Sequence, residues 1–269
     1  MTRHIPRKRF GQNFLVDTQI ISNIIDAIYP QPGDRLVEIG PGLGALTRPL
    51  LRLLDHLYVI ELDRDIVARL ESEFLPDRLT IYSADALKFD FSLLGNKLRV
   101  VGNLPYNIST PLLFHLSQYS KFIADMHFML QKEVVARMVA EPGTSEYGRL
   151  SVMLQYRFEM EQVFIVPPES FDPVPKVESA IVRLLPFRQP VMTSGNEVLF
   201  AQVVAAAFSQ RRKTLRNTLH HYLKPADFTK LEIDSGLRAE NLSVAQFIAI
   251  AHYLAPPTDD VPVTPISDQ

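Results

Sequence analysis

Five short apolar runs alternate with stretches of helical periodicity along the first half of the chain. No other feature constrains the fold as strongly. Arg35–Ile39, Leu57–Ile60, Leu79–Tyr82, Leu98–Val101 and Met126–Leu130 have the length and composition of strands. Between them, Leu43–Leu54, Arg64–Phe74 and Pro111–Tyr119 are predicted helices. Strands alternating with helices imply a parallel sheet covered on both faces. A first amphipathic helix, marked by Ile20, Ile21, Ile24, Ile25 and Ile28, precedes the pattern and ends near Pro30. After it, Gln131–Ala140 and Arg149–Phe158 read as helices. Val163–Val166 and Ser179–Leu185 read as two more strands, antiparallel at one edge. Gln189–Gly195 carries proline, serine and glycine and marks a boundary. Beyond it Glu197–Phe208, Arg211–Tyr222, Ala226–Leu231 and Ser243–Leu254 are predicted helices. The stretch from Pro256 onward has four prolines and three aspartates and reads as a loose tail. The expected class is α/β: a mostly parallel sheet with an antiparallel edge, followed by a small all-helical domain.

Composition narrows the chemistry. With 46% hydrophobic residues in 269, the chain can bury a proper core as one large domain or two modest ones. No apolar run is long enough to cross a membrane. The basic residues near the N-terminus precede no apolar stretch, so no secretory signal is expected. There are no cysteines, which excludes disulfides, thiolate metal sites and cysteine nucleophiles. A cytoplasmic setting is the simplest fit. The seven histidines lack ligand spacing, so no metal is expected. A net charge of −2 carries no global nucleic-acid signal, but the cations are clustered. Arg3, Arg7, Lys8 and Arg9 form one group. Arg211, Arg212, Lys213 and Arg216 form another, placed on one predicted helix. Such clusters are ordinarily solvated faces; with Phe10 and Phe208 beside them they favour a phosphate backbone as partner.

Chemistry collects at the predicted strand ends. Val37-Glu38-Ile39-Gly40-Pro41-Gly42-Leu43-Gly44-Ala45 is a strand, a glycine turn and a helix start, which suits close approach to a ligand. Glu61, at the end of the next strand, is placed to take both hydroxyls of a ribose. Gly40, Gly42 and Ala45 also satisfy a dinucleotide fingerprint, so a nicotinamide cofactor stays open here. Asp85 follows the third strand and can accept from an adenine amine, or form an Asx turn. Asn103-Leu104-Pro105-Tyr106 follows the fourth. An amide oxygen, an extended pre-proline backbone and an aromatic ring suit a planar base bearing an amino group. The competing reading makes Asn103 a helix cap and Tyr106 a core residue. Gly40, Glu61, Asp85 and Asn103 arriving on successive strand ends favour a ligand crevice.

At this point the ordered motifs resemble a family. Lys8–Leu15, Glu38–Gly44, Glu61–Asp63, Asp85–Ala86, Asn103–Ser109, Phe171–Ser179 and Phe208–Leu215 together resemble the S-adenosylmethionine-dependent ribosomal RNA adenine N6-dimethyltransferases of the KsgA type. The resemblance runs from about Arg7 to His252. It implies a Rossmann-like methyltransferase domain over residues 1–190, whose first 17 form a basic lid segment. A helical RNA-binding domain over 191–255 and a flexible tail over 256–269 would follow. It implies S-adenosylmethionine as cofactor, with Asn13 and Leu15 in the lid, Gly40 and Gly42 at the amino-acid end, Glu61 on the ribose and Asp85 on the adenine. Asn103 would stand between cofactor and target base, with Pro105 and Tyr106 completing the catalytic motif. Phe171 is a candidate for the base's other face, or for the core. Arg211, Arg212, Lys213 and Arg216 would bind RNA. The implied reaction dimethylates N6 of two adjacent adenines in the 3′-terminal hairpin loop of small-subunit (16S-type) rRNA, within a 30S particle or its precursor, by a monomer. Rivals are the large-subunit rRNA adenine methyltransferase of the antibiotic-resistance type, a nicotinamide oxidoreductase, and an assembly factor whose methylation is secondary. On spacing alone, Gly11–Leu15 reads as an exposed loop.

Overall fold

The computed structural model describes residues 13–105, 108–187 and 194–255. The chain divides into two compact units between residues 191 and 192. In the first, β1 (Phe14–Leu15) leads into α1 (Thr18–Ile28). Then β2 (Arg35–Ile39), α2 (Thr47–Leu53), β3 (Leu57–Glu61), α3 (Arg64–Glu73), β4 (Leu79–Ser83), β5 (Leu98–Asn103), α4 (Ser109–Ser117) and β6 (Ile123–Gln131) follow. The unit ends with α5 (Lys132–Val139), α6 (Arg149–Gln155), β7 (Phe158–Val166), β8 (Phe171–Asp172) and β9 (Ser179–Pro186).

Seven strands form one sheet in the order β4-β3-β2-β5-β6-β9-β7. The first five run parallel; β9 pairs antiparallel with both β6 and β7. The strands are near-continuous apolar runs because both faces are covered. One cluster packs Val37, Val100, Phe128 and Val182 with α4; the other packs Leu36, Val59, Val101 and Ile181 with α1 and α2. The chain order reverses between β2 and β5. Ligands of open α/β sheets bind at such a switch point, beyond the strands' carboxyl ends.

Local chemistry sets the element ends. Asp17 caps α1 by accepting from the Gln19 and Ile20 amides. At its other end, Arg99 donates to the Ile28 carbonyl and bridges Asp34 (2.6 Å) and Asp125 (3.0 Å), tying α1 to β5 and β6. The helix predicted from Leu43 starts only at Thr47. Gly40, Gly42 and Gly44 all have positive φ (66°, 54° and 81°), and those dihedrals make a turn instead. The helix predicted over Arg149–Phe158 stops at Gln155, and Phe158 opens β7. Gly11–Leu15 was expected as exposed loop. Its described residues differ: Phe14 and Leu15 pair antiparallel with Asp172 and Phe171, a partnership too distant in sequence for spacing to show.

In the second unit α7 (Ser194–Ala207) packs on α10 (Val244–Leu254), with α8 (Leu215–Thr218) and α9 (Pro225–Lys230) between them in sequence. Ser243 and Gln246 cap α10 reciprocally. Here the structure corrects an expectation. Arg211, Arg212 and Lys213 are not on a helix with Arg216. They form an exposed turn closed by the Lys213 amide on the Gln210 carbonyl (3.0 Å), and only Arg216 lies in α8. Thr214 has extended dihedrals and starts a new element. The Leu215 and Arg216 amides donate to Leu237 and Ser235 rather than to a preceding turn. On a continuous helix Arg212 and Lys213 would also stand four and three residues from Arg216, spacings at which like charges repel.

Candidate cofactor and base site

A cavity of about 350 Å³ opens at the carboxyl ends of β2, β3, β4 and β5. That volume lies in the range of small-molecule sites. Asn13, Leu15, Gly40, Gly42, Glu61, Asp85, Asn103, Pro105 and Phe171 all line it. Tyr106 lies outside the described residues, as do Arg3, Arg7, Lys8 and Arg9.

The glycine turn forms one wall. The Gly40 amide donates to the Ile60 carbonyl, pinning the turn to β3. A Cβ on Gly42 would lie 3.2 Å from the Phe14 ring, a tight contact, and its φ of 54° is one that side chains rarely adopt. Phe14 thus covers the turn, held there by β1–β8 pairing. The strap is fastened again where the Val16 amide donates to the Ser170 carbonyl (2.9 Å) and the Ser170 hydroxyl to Asp17 (3.2 Å).

Glu61 ends β3, and its Oε1 accepts from the Leu62 and Asp63 amides, both at 2.8 Å. Burial lifts its pKa above the ordinary carboxylate range, opposed by hydrogen bonds from the Asp63, Leu62 and Gly42 amides. Glu38, also in the wall, was not singled out from the sequence. It is 2% exposed and accepts from the Thr47 hydroxyl at 2.7 Å. Burial pushes its carboxyl up to about 7, with repulsion from Glu61 adding to the rise. A lone acid inside the apolar run of β2 was the available signal, because charges are seldom fully buried without a task or partner. Two buried acids that repel each other form a cavity that gains from a cationic ligand.

Asp85 lies two residues past β4. Its Oδ1 accepts from the Leu87 amide (3.0 Å), so the Asx turn is present, and the residue lines the cavity as well. Asn103 ends β5. The helix-cap reading fails, since the N-cap of α4 is Ile108 and the helix has no side-chain cap hydrogen bond. Asn103 Nδ2 donates to the Asn13 carbonyl at 3.2 Å. That bond fixes the sense of the amide and leaves Oδ1 as an acceptor. The Pro105 carbonyl accepts from the Ile108 amide (3.1 Å), whereas the Leu104 carbonyl accepts no hydrogen bond among the described residues. Phe171, 2% exposed, belongs to the core beside Leu15 and lines the cavity floor. Among the described residues, no group of histidines and acids could hold a metal, and no helix is long and apolar enough to cross a membrane.

The family model for ribosomal RNA adenine dimethylase matches residues 3–256. The chain belongs to that family. Curated relatives agree. Ribosomal RNA small subunit methyltransferase A of Nitrosospira multiformis is 66% identical over 251 residues, covering 93% of this chain and 97% of the relative. The protein of the same name from Nitrosomonas europaea is 67% identical over 248 residues, 92% of this chain and 96% of its own. Among solved structures, a dimethyladenosine transferase from Plasmodium falciparum superposes with a TM-score of 0.77 at 28% identity, covering 88% of this chain and 95% of that one. The 23S rRNA methyltransferase ErmE shares the fold, with a TM-score of 0.68 at 24% identity over 90% of this chain and 99% of its own. The dimethylase family is S-adenosylmethionine-dependent, and the residues of this cavity fit that group. The positive-φ glycine turn gives close backbone approach, and the paired buried acids match a ligand carrying a sulfonium and an ammonium.

Proposed function

We propose that the protein transfers methyl groups from S-adenosylmethionine to N6 of two adjacent adenines in the 3′-terminal hairpin loop of small-subunit rRNA. It would act as a monomer on a 30S particle or its precursor. The observation that carries this reading is the Asn103 amide, held by the Asn13 carbonyl with its oxygen left to accept, at the rim of a cavity built for a nucleoside. The high identity to small-subunit methyltransferases supports that subunit over the large one.

S-adenosylmethionine, when bound, supplies an electrophilic methyl group. The chain's own task is positioning and polarisation. Glu61 would take the ribose hydroxyls with the oxygen not held by Leu62 and Asp63. Asp85 would take the adenine amine, and Asn13, Leu15, Gly40 and Gly42 would enclose the rest. At the target base, Asn103 Oδ1 and the Leu104 carbonyl would accept the two amine protons. Accepting both draws the nitrogen lone pair out of the ring and frees it to attack. The Pro105 carbonyl already serves Ile108, so Pro105 acts by keeping the Leu104 backbone extended. Tyr106 is proposed as the stacking ring; base stacking is worth roughly 1–3 kcal/mol. Phe171 would wall the pocket from below. The methylated amine is acidic and can release its proton to water, so no general base is required of the chain.

The decisive experiment incubates isolated 30S and 50S particles with enzyme and S-adenosylmethionine, then counts methylated adenines by mass spectrometry. Dimethyladenines on 30S RNA alone are expected. Modification of 50S RNA would refute the choice of subunit. Asn103→Ala should abolish transfer on 30S while leaving most cofactor affinity, and wild-type turnover in that variant would sink the mechanism.

A further inference from the structure

Arg48 sits in the first turn of α2, where the helix dipole disfavours a cation. Its position is explained by what it holds. Nη1 donates to the carbonyls of Leu43 (2.7 Å) and Gly44 (3.1 Å). The rest of the guanidinium is clamped by Glu73 at the end of α3, with Nε on Oε1 (2.5 Å) and Nη2 on Oε2 (2.8 Å). The fork therefore joins α3 to the glycine turn. A Cβ on Gly44 would lie 3.1 Å from this guanidinium, so the glycine also admits the clamp.

The consequence lies on the turn's other side. In a trans peptide the carbonyl and the next N–H point in opposite directions. The only cis bond among the described residues is Asp172–Pro173. The Gly44 carbonyl accepts from the Arg48 backbone amide (3.2 Å) as well as from the guanidinium, and holding it on that side turns the Ala45 N–H away from Arg48. Ala45 lines the cofactor cavity, and its amide donates to no acceptor among the described residues. The Gly44 amide, by contrast, is already used on the Pro41 carbonyl (2.9 Å).

We propose that Arg48, braced by Glu73, is a positioning residue that holds the glycine turn so that the Ala45 amide faces the carboxylate of the cofactor's amino-acid end. The proposal rests on the methyltransferase reading above. Arg48 does not line the cavity, so its effect is expected on ligands that carry the amino-acid end.

The test measures calorimetric affinities of the full chain for S-adenosylmethionine and for 5′-methylthioadenosine, which lacks the amino-acid end. Arg48→Met keeps the aliphatic stem and removes the fork. It should weaken S-adenosylmethionine roughly tenfold, the scale of one lost charge-assisted hydrogen bond, and leave methylthioadenosine within about twofold. Turnover at saturating cofactor should stay near wild type. Glu73→Gln should move affinity in the same direction by less, and the double variant should be no worse than Arg48→Met alone. An unmoved affinity for S-adenosylmethionine overturns the proposal. So do equal losses for both ligands, which mark a merely structural role, and so does additive behaviour of the two substitutions. If the wild-type chain binds methylthioadenosine and S-adenosylmethionine equally weakly, the methyltransferase reading itself falls.

Discussion

Gly102 offers a sharp test of how the sheet sets the site. In β5 it pairs with Phe128 of β6 and lies beside the end of β2. A Cβ there would stand 2.5 Å from the Ile39 carbonyl oxygen and 3.1 Å from Leu104 Cδ2. Ordinary C···O approach is about 3.3–3.6 Å, so the gap is short by about 1 Å. Leu104 can change rotamer, but Ile39 is backbone in the middle of the sheet and is followed directly by Gly40. For Gly102→Ala, reduced freedom of the unfolded chain offsets about 0.4–1 kcal/mol. Overpacking costs typically 1–3 kcal/mol. A net loss of about 1–2 kcal/mol is therefore expected, or roughly 2–8 °C in Tm for a unit of this size. Activity should fall further than stability, because the shift separates Asn103 from the glycine turn, and misplacement near 1 Å can cost about 100-fold. Differential scanning fluorimetry and single-turnover methylation of 30S particles check both effects. A Gly102→Ala protein with wild-type Tm and rate would refute the claim that the β2–β5 contact fixes the geometry.

Further outcomes follow from buried charge and from the basic turn. Glu38 has a folded pKa of about 7 against an ordinary 4.5, so the ligand-free protein loses stability as pH rises through that window. At about 1.36 kcal/mol per unit, Glu38→Gln should be about 3 kcal/mol more stable than wild type at pH 8 and nearly equal at pH 4, by chemical denaturation. His127 has the opposite sign. Burial lowers its pKa from 6.5 to about 4, with Asp125 opposing, so its contribution is full above pH 6.5 and is lost as pH falls toward 4. Among the described residues neither ring nitrogen has a hydrogen-bond partner, so His127→Leu should flatten the acid limb without lowering stability at pH 7; an unchanged acid limb would assign that loss elsewhere. Replacing Arg211, Arg212 and Lys213 by alanine should reduce the slope of log affinity against log salt for 30S RNA by about 2–3, and an unchanged slope would remove the turn from the RNA surface.

The parallel sheet was legible because its strands are buried on both faces and read as unbroken apolar runs. Arg35–Ile39 has the same limits in sequence and structure, and Glu61 and Asn103 end their strands. The residues lining the cavity were legible for the same reason, since strand ends are where an apolar run gives way to glycine and polar residues. Other features were hidden because they depend on distant partners. Nothing near Phe14 announces Asp172, and nothing near Arg48 announces Glu73. Glu38 was visible as a letter, but its burial depends on Thr47 and on Glu61 across the next strand. The basic turn misled because periodicity counts charges on a helical face without asking whether Thr214 will begin a new element.

The strap over the cavity has a consequence for assembly. Phe14 meets Asp172 only after nearly the whole first unit has been traversed, and two residue pairs with a few flanking bonds hold the junction. Closing so long a loop for so few contacts places this step late in folding. It also gives the strap a low local stability compared with the central strands. Amide exchange at Leu15 and Val16 should therefore outpace that of the central strands β2 and β5. Each such opening withdraws the Asn13 carbonyl from Asn103. The equilibrium of this local opening, rather than global stability, then sets how much of the population keeps the Asn103–Asn13 hydrogen bond.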